Sequence, residues 1–311
     1  MKKVIYFVLF FLSVLKVNSQ QNPHYTQYMT NMSAINPAYV TEAPSVINLG
    51  SLYRYQWAGI KGAPKTLTFF AHTPLTEKIE TGFSLISDDI GDGAKKETNF
   101  FADFAYRLQL NKNHRLSFGI KAGFTSISTN FNGFRLNSGN ASTDAAFAEN
   151  INESVPNIGT GAYLFGNNYY LGLSVPNLLS AEHIKSRPTV NSFGPQEIHT
   201  FFTGGYVFNI NDAFKLKPAF MSIFVKGSPA SIDLTANVLY QEKFELGLAY
   251  RMDDSVSLLM NVNVTPSMRI GYSYDYTTSN LGQFNSGSHE IVILYNFDLS
   301  GKGYDKSPRF F

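Results

Sequence analysis

The sequence predicts a transmembrane β-barrel of about fourteen antiparallel strands, an all-β outer-membrane fold. Three features predict it: a secretory-type start, many strands long enough to cross a bilayer, and connections that are short at one end and mostly long at the other. A tilted spanning strand needs about 9–11 residues. Short turns opposite long loops are the layout of outer-membrane barrels.

Met1 to Ser19 reads as a signal peptide. Lys2 and Lys3 give the positive end, Val4 to Leu15 the apolar run, and Val17 and Ser19 sit where small residues precede cleavage. Cleavage is expected near Ser19, because the run is shorter than the ~20 residues of a spanning helix. The chain has no cysteine, which excludes cysteine lipidation, disulfides and cysteine-ligated metals. Lys plus Arg total 25 against 23 for Asp plus Glu, so no basic excess points to nucleic acid. With 27 Phe and 18 Tyr against 15% charged residues, the mature chain is unusually aromatic. No later run approaches ~18 continuous apolar residues, so no transmembrane helix is expected.

Residues 20–45 are broken by Pro23, Pro37 and Pro44 and are expected to be irregular, a candidate plug for the lumen. The barrel then occupies residues 46–297. Its strands are expected at 46–56, 66–74, 79–87, 98–110, 115–127, 156–165, 169–175, 199–210, 214–226, 231–240, 244–252, 255–264, 268–276 and 290–297. A tail follows at 298–311, carrying Lys302, Lys306, Arg309 and Phe310-Phe311.

Each strand is justified by period-two alternation, which gives it one apolar and one polar face. Val256, Leu258, Met260, Val262 and Val264 alternate with Ser257, Leu259, Asn261 and Asn263. Met268, Ile270, Tyr272, Tyr274 and Tyr276 alternate with Arg269, Gly271, Ser273 and Asp275. Phe100, Ala102, Phe104, Tyr106 and Leu108 alternate with Phe101, Asp103, Ala105 and Arg107. Alternate connections are short and rich in Asn, Asp and Pro, as at Asn111–Asn113, Asn211–Asp212 and Thr265–Ser267. Of the others, 57–65, 88–97, 128–155, 176–198 and 277–289 are read as long, while Gly227–Ala230 and Asp253–Asp254 are also tight. The short turns would face the periplasm and the long loops the outside. A soluble sandwich also alternates, but its strands average only about 5–6 residues.

The polar face carries Asp103, Arg107, Lys121, Lys215, Lys217, Asp233, Glu245, Arg251, Arg269, Asp275 and Glu290. Both signs are represented, and charges in a confined lumen need partners, so internal ion pairs are expected. Fourteen strands enclose less space than the 16–18 of open porins, and a plugged or poorly conducting barrel follows. Chemistry is thin. Of His24, His72, His114, His183, His199 and His289, none pairs at zinc-ligand spacing. His289 and Glu290 are adjacent and would point to opposite faces. No phosphate-loop or dinucleotide fingerprint is present. The reading is a non-enzyme without a cofactor.

Four stretches are more specific than a generic barrel requires. They are Pro23-His24-Tyr25-Thr26-Gln27-Tyr28 with Ile35-Asn36-Pro37-Ala38-Tyr39; Tyr53-Arg54-Tyr55-Gln56-Trp57-Ala58-Gly59 with Gly62-Ala63-Pro64-Lys65-Thr66; Leu216-Lys217-Pro218; and Gly271-Tyr272-Ser273-Tyr274-Asp275-Tyr276 with Gly287-Ser288-His289-Glu290. Through these the mature chain closely resembles the PorP/SprF family of type IX secretion outer-membrane proteins of Bacteroidetes. His24-Tyr25-Thr26 and Val40-Thr41 are small departures from the family pattern. The resemblance implies an outer-membrane barrel, in contact with lipid, that supports secretion or surface anchoring of large proteins such as gliding adhesins. The implied partners are a cargo with a type B C-terminal targeting domain and type IX components, among them a periplasmic peptidoglycan-binding lipoprotein. No catalytic residue comes with the family. Its motif residues Gln27, Tyr28, Asn36, Pro37, Arg54, Gln56, Trp57, Gly62 and Pro64 are the candidate binding positions, serving either barrel-and-plug architecture or direct partner contact. Arg54 and Gln56 should point inward near the plug, Gly62 and Pro64 should shape the first outer loop, and Trp57 should join an interfacial ring. The alternative reading is a plugged channel for a hydrophobic small molecule, resembling fatty-acid transporters. A continuous apolar pocket in the lumen would favour that alternative, and a charged, filled lumen would favour secretion.

Overall fold

The computed structural model describes residues 23–41, 43, 45–132, 135–136, 139–140, 150, 152–179 and 197–301. The expected signal peptide, its cleavage point, His183 and the tail from 302 lie outside the described residues. Fourteen strands form one closed antiparallel barrel. They are β1 (Val46–Tyr55), β2 (Lys65–Pro74), β3 (Ile79–Ile90), β4 (Lys95–Gln109), β5 (Arg115–Thr129), β6 (Asn152–Phe165), β7 (Tyr169–Val175), β8 (His199–Tyr206, continued by Phe208–Asn209), β9 (Phe214–Val225), β10 (Ser231–Tyr240), β11 (Phe244–Arg251), β12 (Ser255–Thr265), β13 (Met268–Thr277) and β14 (Ser288–Asp298). Each pairs with the next, and β14 returns to β1 in a register that sets Glu290 opposite Arg54. Closure removes both sheet edges, whose unpaired backbone groups hydrocarbon would not tolerate. Among the described residues no helix is long and apolar enough to cross a membrane.

Alternation sorts the side chains as the sequence reading expects. In β12, Ser255, Ser257, Leu259 and Asn261 are buried while Val256, Leu258 and Met260 are exposed. In β4, Phe101, Asp103 and Ala105 are buried while Phe104, Tyr106 and Leu108 are exposed. The outer surface is therefore a belt of Leu, Ile, Val and aromatic side chains, a surface that water would penalise and lipid accepts. Tight turns close one end. At Gln241-Glu242 both residues have positive φ (49° and 54°), and Lys243 N–H donates to Tyr240 O at 3.0 Å. That is the primed geometry whose twist matches a hairpin.

One connection differs from expectation. Residues 88–97 are not a long loop: Asp88, Asp89 and Ile90 pair with Glu97, Lys96 and Lys95. The remaining turn, residues 91–94, carries positive φ at Gly91, Asp92 and Gly93. The charged run breaks the apolar alternation and so hides the strand. A hairpin that projects beyond the apolar belt has no lipid face to maintain. β5 and β6 extend in the same direction, pairing out to Ser128 and Asn152.

The hydrophobic core lies inside the barrel. Tyr25, Tyr28, Met32, Ile35, Ala38 and Val40, all from the segment before β1, pack against inward residues including Leu52, Tyr163, Phe201, Met221 and Val292. Among its described residues the segment holds only a 3₁₀ turn at Tyr28–Thr30 and one helical turn at Met32–Ile35.

An arginine on the lipid face tests the belt. Leu248, 61% exposed in mid-β11, should lose about 2–4 kcal/mol as Leu248→Arg, against about 0–1 kcal/mol for Val264→Arg beside the turn. Urea unfolding in lipid vesicles measures both. Equally small losses would mean that this face meets water.

Candidate functional site

The segment from Pro23 to Ala43 descends through the lumen from the long-loop end to the short-turn end, where β1 begins. Its contacts fall on strands around the whole circumference. Three groups of contacts hold it.

The first is a charged cluster on three consecutive strands. Arg54 (β1) donates through Nη2 to Asp275 Oδ2 (β13) at 2.7 Å and through Nη1 to Glu290 Oε2 (β14) at 3.1 Å. Thr26 and Gln27 complete it. Their backbone N–H groups donate to Glu290 Oε2 and Oε1 at 3.1 and 2.7 Å. The Thr26 hydroxyl donates to Asp275 at 2.7 Å and accepts from Arg54 Nη1 at 3.1 Å. One guanidinium shared by two carboxylates leaves one excess negative charge. The two peptide N–H groups supply the charge-assisted bonds that offset it. Tyr25 and Tyr28 anchor the same stretch through hydroxyl contacts to Thr68 (2.9 Å) and Thr235 (3.3 Å).

The second is a seat for the Asn36-Pro37-Ala38 turn. Asn36 Nδ2 donates to Ala162 O at 3.1 Å, its Oδ1 accepts from Ala38 N–H at 2.9 Å, and Ser174 Oγ donates to Ile35 O at 2.9 Å. Glycines on β5 and β6 make the room. A Cβ on Gly119 would lie 2.3 Å from the Pro37 and Ala38 backbone, and one on Gly161 2.1 Å from Asn36 Oδ1. Gly119 and Gly161 are cross-strand partners, so together they form one flat shelf.

The third is a carboxylate near the short-turn end. Glu80 (β3) accepts the Thr41 N–H at 2.8 Å and the Thr41 hydroxyl at 3.0 Å. Thus each end of the segment is held by a buried glutamate reading its backbone.

Several other inward charges are paired with one another. Lys121 meets Asp103 at 3.0 Å and Arg251 meets Asp233 at 2.8 Å. Arg269 pairs with Glu245, which also accepts from Asn237 and Asn261. Lys215 lies at the rim with Glu242.

The sequence-derived positions divide in two. Gln27, Tyr28, Asn36, Pro37 and Arg54 meet inside the lumen. Gln56, Trp57, Gly62 and Pro64 lie in the β1–β2 loop. Gln56 is half-buried, and its backbone N–H donates to Pro64 O at 3.0 Å. Trp57 follows the end of β1 with φ 51°, and its N–H donates to Ser288 Oγ at 3.1 Å. It is a turn residue of the β1–β2 loop. Gly62 (φ 74°) accepts the Gly91 N–H at 2.8 Å, and Ala58 exchanges backbone bonds with Gly287 and Ser286, both at 2.7 Å. This loop therefore ties the β3–β4 turn to the β13–β14 connection. Sequence reasoning missed Glu80, although alternation in β3 places it inward. It also missed the shelf glycines, whose only signal was their inward parity.

Among curated proteins, no sequence match is found. Solved outer-membrane barrels overlap most of the chain. The Ralstonia pickettii toluene transporter TbuX is 10% identical with a TM-score of 0.49, covering 86% of this chain and 93% of its own. A Pseudomonas aeruginosa FadL homologue is 12% identical at 0.46, covering 86% and 93%. Acinetobacter baumannii Omp33 is 8% identical at 0.45, covering 84% and 100%. Likeness at this level sets no substrate or partner for this chain. The sequence profile of the type IX secretion system membrane protein PorP/SprF matches residues 17–295. With the closed barrel and the motif residues now placed in its lumen and first outer loop, the chain belongs to the PorP/SprF family of type IX secretion membrane proteins.

Proposed function

We propose that the chain is a closed, non-enzymatic outer-membrane component of the type IX secretion system. It supports secretion or surface anchoring of a large surface protein, such as a gliding adhesin with a type B C-terminal targeting domain. One observation carries the reading: the lumen segment is held at both ends by buried glutamates and seated midway on a glycine shelf. A barrel filled in this way works as a platform. Its partners meet its two mouths, cargo at the long-loop face and a periplasmic lipoprotein or other type IX component at the short-turn face. The hydrophobic-channel alternative calls for a continuous apolar passage. The charged pairs and the segment that fill the lumen favour the platform.

Two outcomes are expected. Planar-bilayer recordings of the purified protein should show no large, stable conductance, whereas the Glu80→Ala/Glu290→Ala double variant should open frequently. The variant leaves the Thr26, Gln27 and Thr41 N–H groups without their acceptors, at about 1–3 kcal/mol each, so release of the segment should rise roughly a hundredfold or more. Steady conductance from the unaltered protein would reject the platform. Detergent pulldown of the native protein with mass spectrometry should recover one very large surface protein or type IX components. Recovery of neither would return the choice to transport.

A further inference from the structure

The inner wall has a gap where β3 presents no side chain. His72 (β2), Gly82 (β3) and Asp103 (β4) are neighbours in one row across three strands. Gly82 has inward parity, between the inward Glu80 and Ser84. A Cβ there would lie 3.4 Å from His72 Cβ and 3.5 Å from Asp103 Cβ, so the glycine leaves space between two polar side chains. Ser33, in the helical turn of the lumen segment, lines the same space. The cavity measures about 10 Å³, and one water needs about 10–15 Å³. Ser33, His72 and Asp103 are each more than nine-tenths buried. Each presents a polar atom that no protein group among the described residues meets: Ser33 Oγ, both ring nitrogens of His72, and Asp103 Oδ1. The His72 ring stacks on Phe70 and meets Tyr39 edge-on at 5.4 Å, which fixes its orientation. Asp103 Oδ2 accepts from Lys121 Nζ at 3.2 Å, whereas Oδ1, 3.0 Å from the same ammonium, lies out of line for a hydrogen bond. Buried polar groups are nearly always bonded, to protein or to ordered water.

We propose that this cavity is the binding site of one ordered water, which joins the lumen segment to the wall. The water accepts from the Ser33 hydroxyl and from the one N–H of a neutral His72 imidazole, and donates to Asp103 Oδ1. Three partners are the usual number for a buried water. A metal ion or an ammonium group suits the site less well. Lys121 already neutralises Asp103, and Glu80, also in the lining, is bonded to Thr41. The water adds a side-chain attachment to the helical turn Met32–Ile35, where the Ser33 carbonyl already accepts from Lys121 Nζ at 3.5 Å. The turn is thus held to β2 and β4 through solvent as well as directly to β5. The proposal does not depend on the secretion role.

The test uses the full-length mature protein. A high-resolution crystal structure should show one water within about 3.2 Å of Ser33 Oγ, Asp103 Oδ1 and a His72 nitrogen. No density at that point, or a direct Ser33–His72 hydrogen bond in its place, would overturn the proposal. Two small variants give an independent sign. Gly82→Ala sets a methyl group in the cavity at ordinary contact distances and displaces the water. Ser33→Ala removes one of the water's partners. In a dry cavity both changes would raise stability, the first by filling space and the second by deleting an unmet buried hydroxyl. We expect the opposite: the urea midpoint in lipid vesicles falls in both variants. The double variant should lose little more than the larger single loss, because both changes remove the same water. A midpoint that rises or stays unchanged in either single variant would overturn the proposal. So would a double variant whose loss is the sum of the two.

Discussion

The Glu290 carboxylate has no exposed surface, and a charge so placed must be matched by donors within reach or the fold loses several kcal/mol. It has three: Arg54 Nη1 and the backbone N–H groups of Thr26 and Gln27. Two of the three belong to the segment that precedes the barrel. Arg54 and Glu290 face each other across the β1–β14 junction, where the first and last strands meet. Barrel closure and lumen filling therefore share one buried cluster. Without closure Arg54 lacks Glu290. Without the segment Glu290 and Asp275 share a single guanidinium.

The wall is shaped to allow this. A fourteen-stranded barrel has more interior than its own inward side chains fill. The segment brings the tyrosines, Met32 and Ile35 that make a core there. Where its backbone approaches the wall, β5 and β6 present glycine. Elsewhere small hydroxyl residues such as Thr68, Thr235 and Ser174 meet its polar groups. The segment needs almost no regular structure of its own, because its backbone is held by the barrel.

Much of this was legible in the sequence, for identifiable reasons. Lipid on one side and a polar lumen on the other impose a strict period of two, so all fourteen strands were found. The sign balance of inward charges foretold pairs such as Asp103–Lys121 and Asp233–Arg251. The β3–β4 extension was missed because its run of charged residues, Asp88-Asp89 and Lys95-Lys96-Glu97, keeps no alternation of apolar and polar side chains. Glu80 carries the parity of an inward residue, but one glutamate beside a turn reads equally well as solvated. The contact between Thr26 and Glu290 spans 264 positions and leaves no local trace. Only the recurrence of both stretches in the family resemblance linked them.

A filled lumen moves the functional question to the rims, and at the long-loop rim three of the described connections are tied to one another. The β1–β2 loop reaches sideways to Gly91 in the β3–β4 turn and to Ser286 and Gly287 before β14. Left-handed residues at Trp57, Gly59 and Gly62 set its path. The residues that fix this loop lie next to Arg54, so the outer surface is continuous in sequence and structure with the charged cluster below it. A partner that pressed on this loop would load the junction holding Glu290, and through it the lumen segment. The loop and the lumen segment are therefore joined to the same β1–β14 junction, an arrangement that suits the proposed platform.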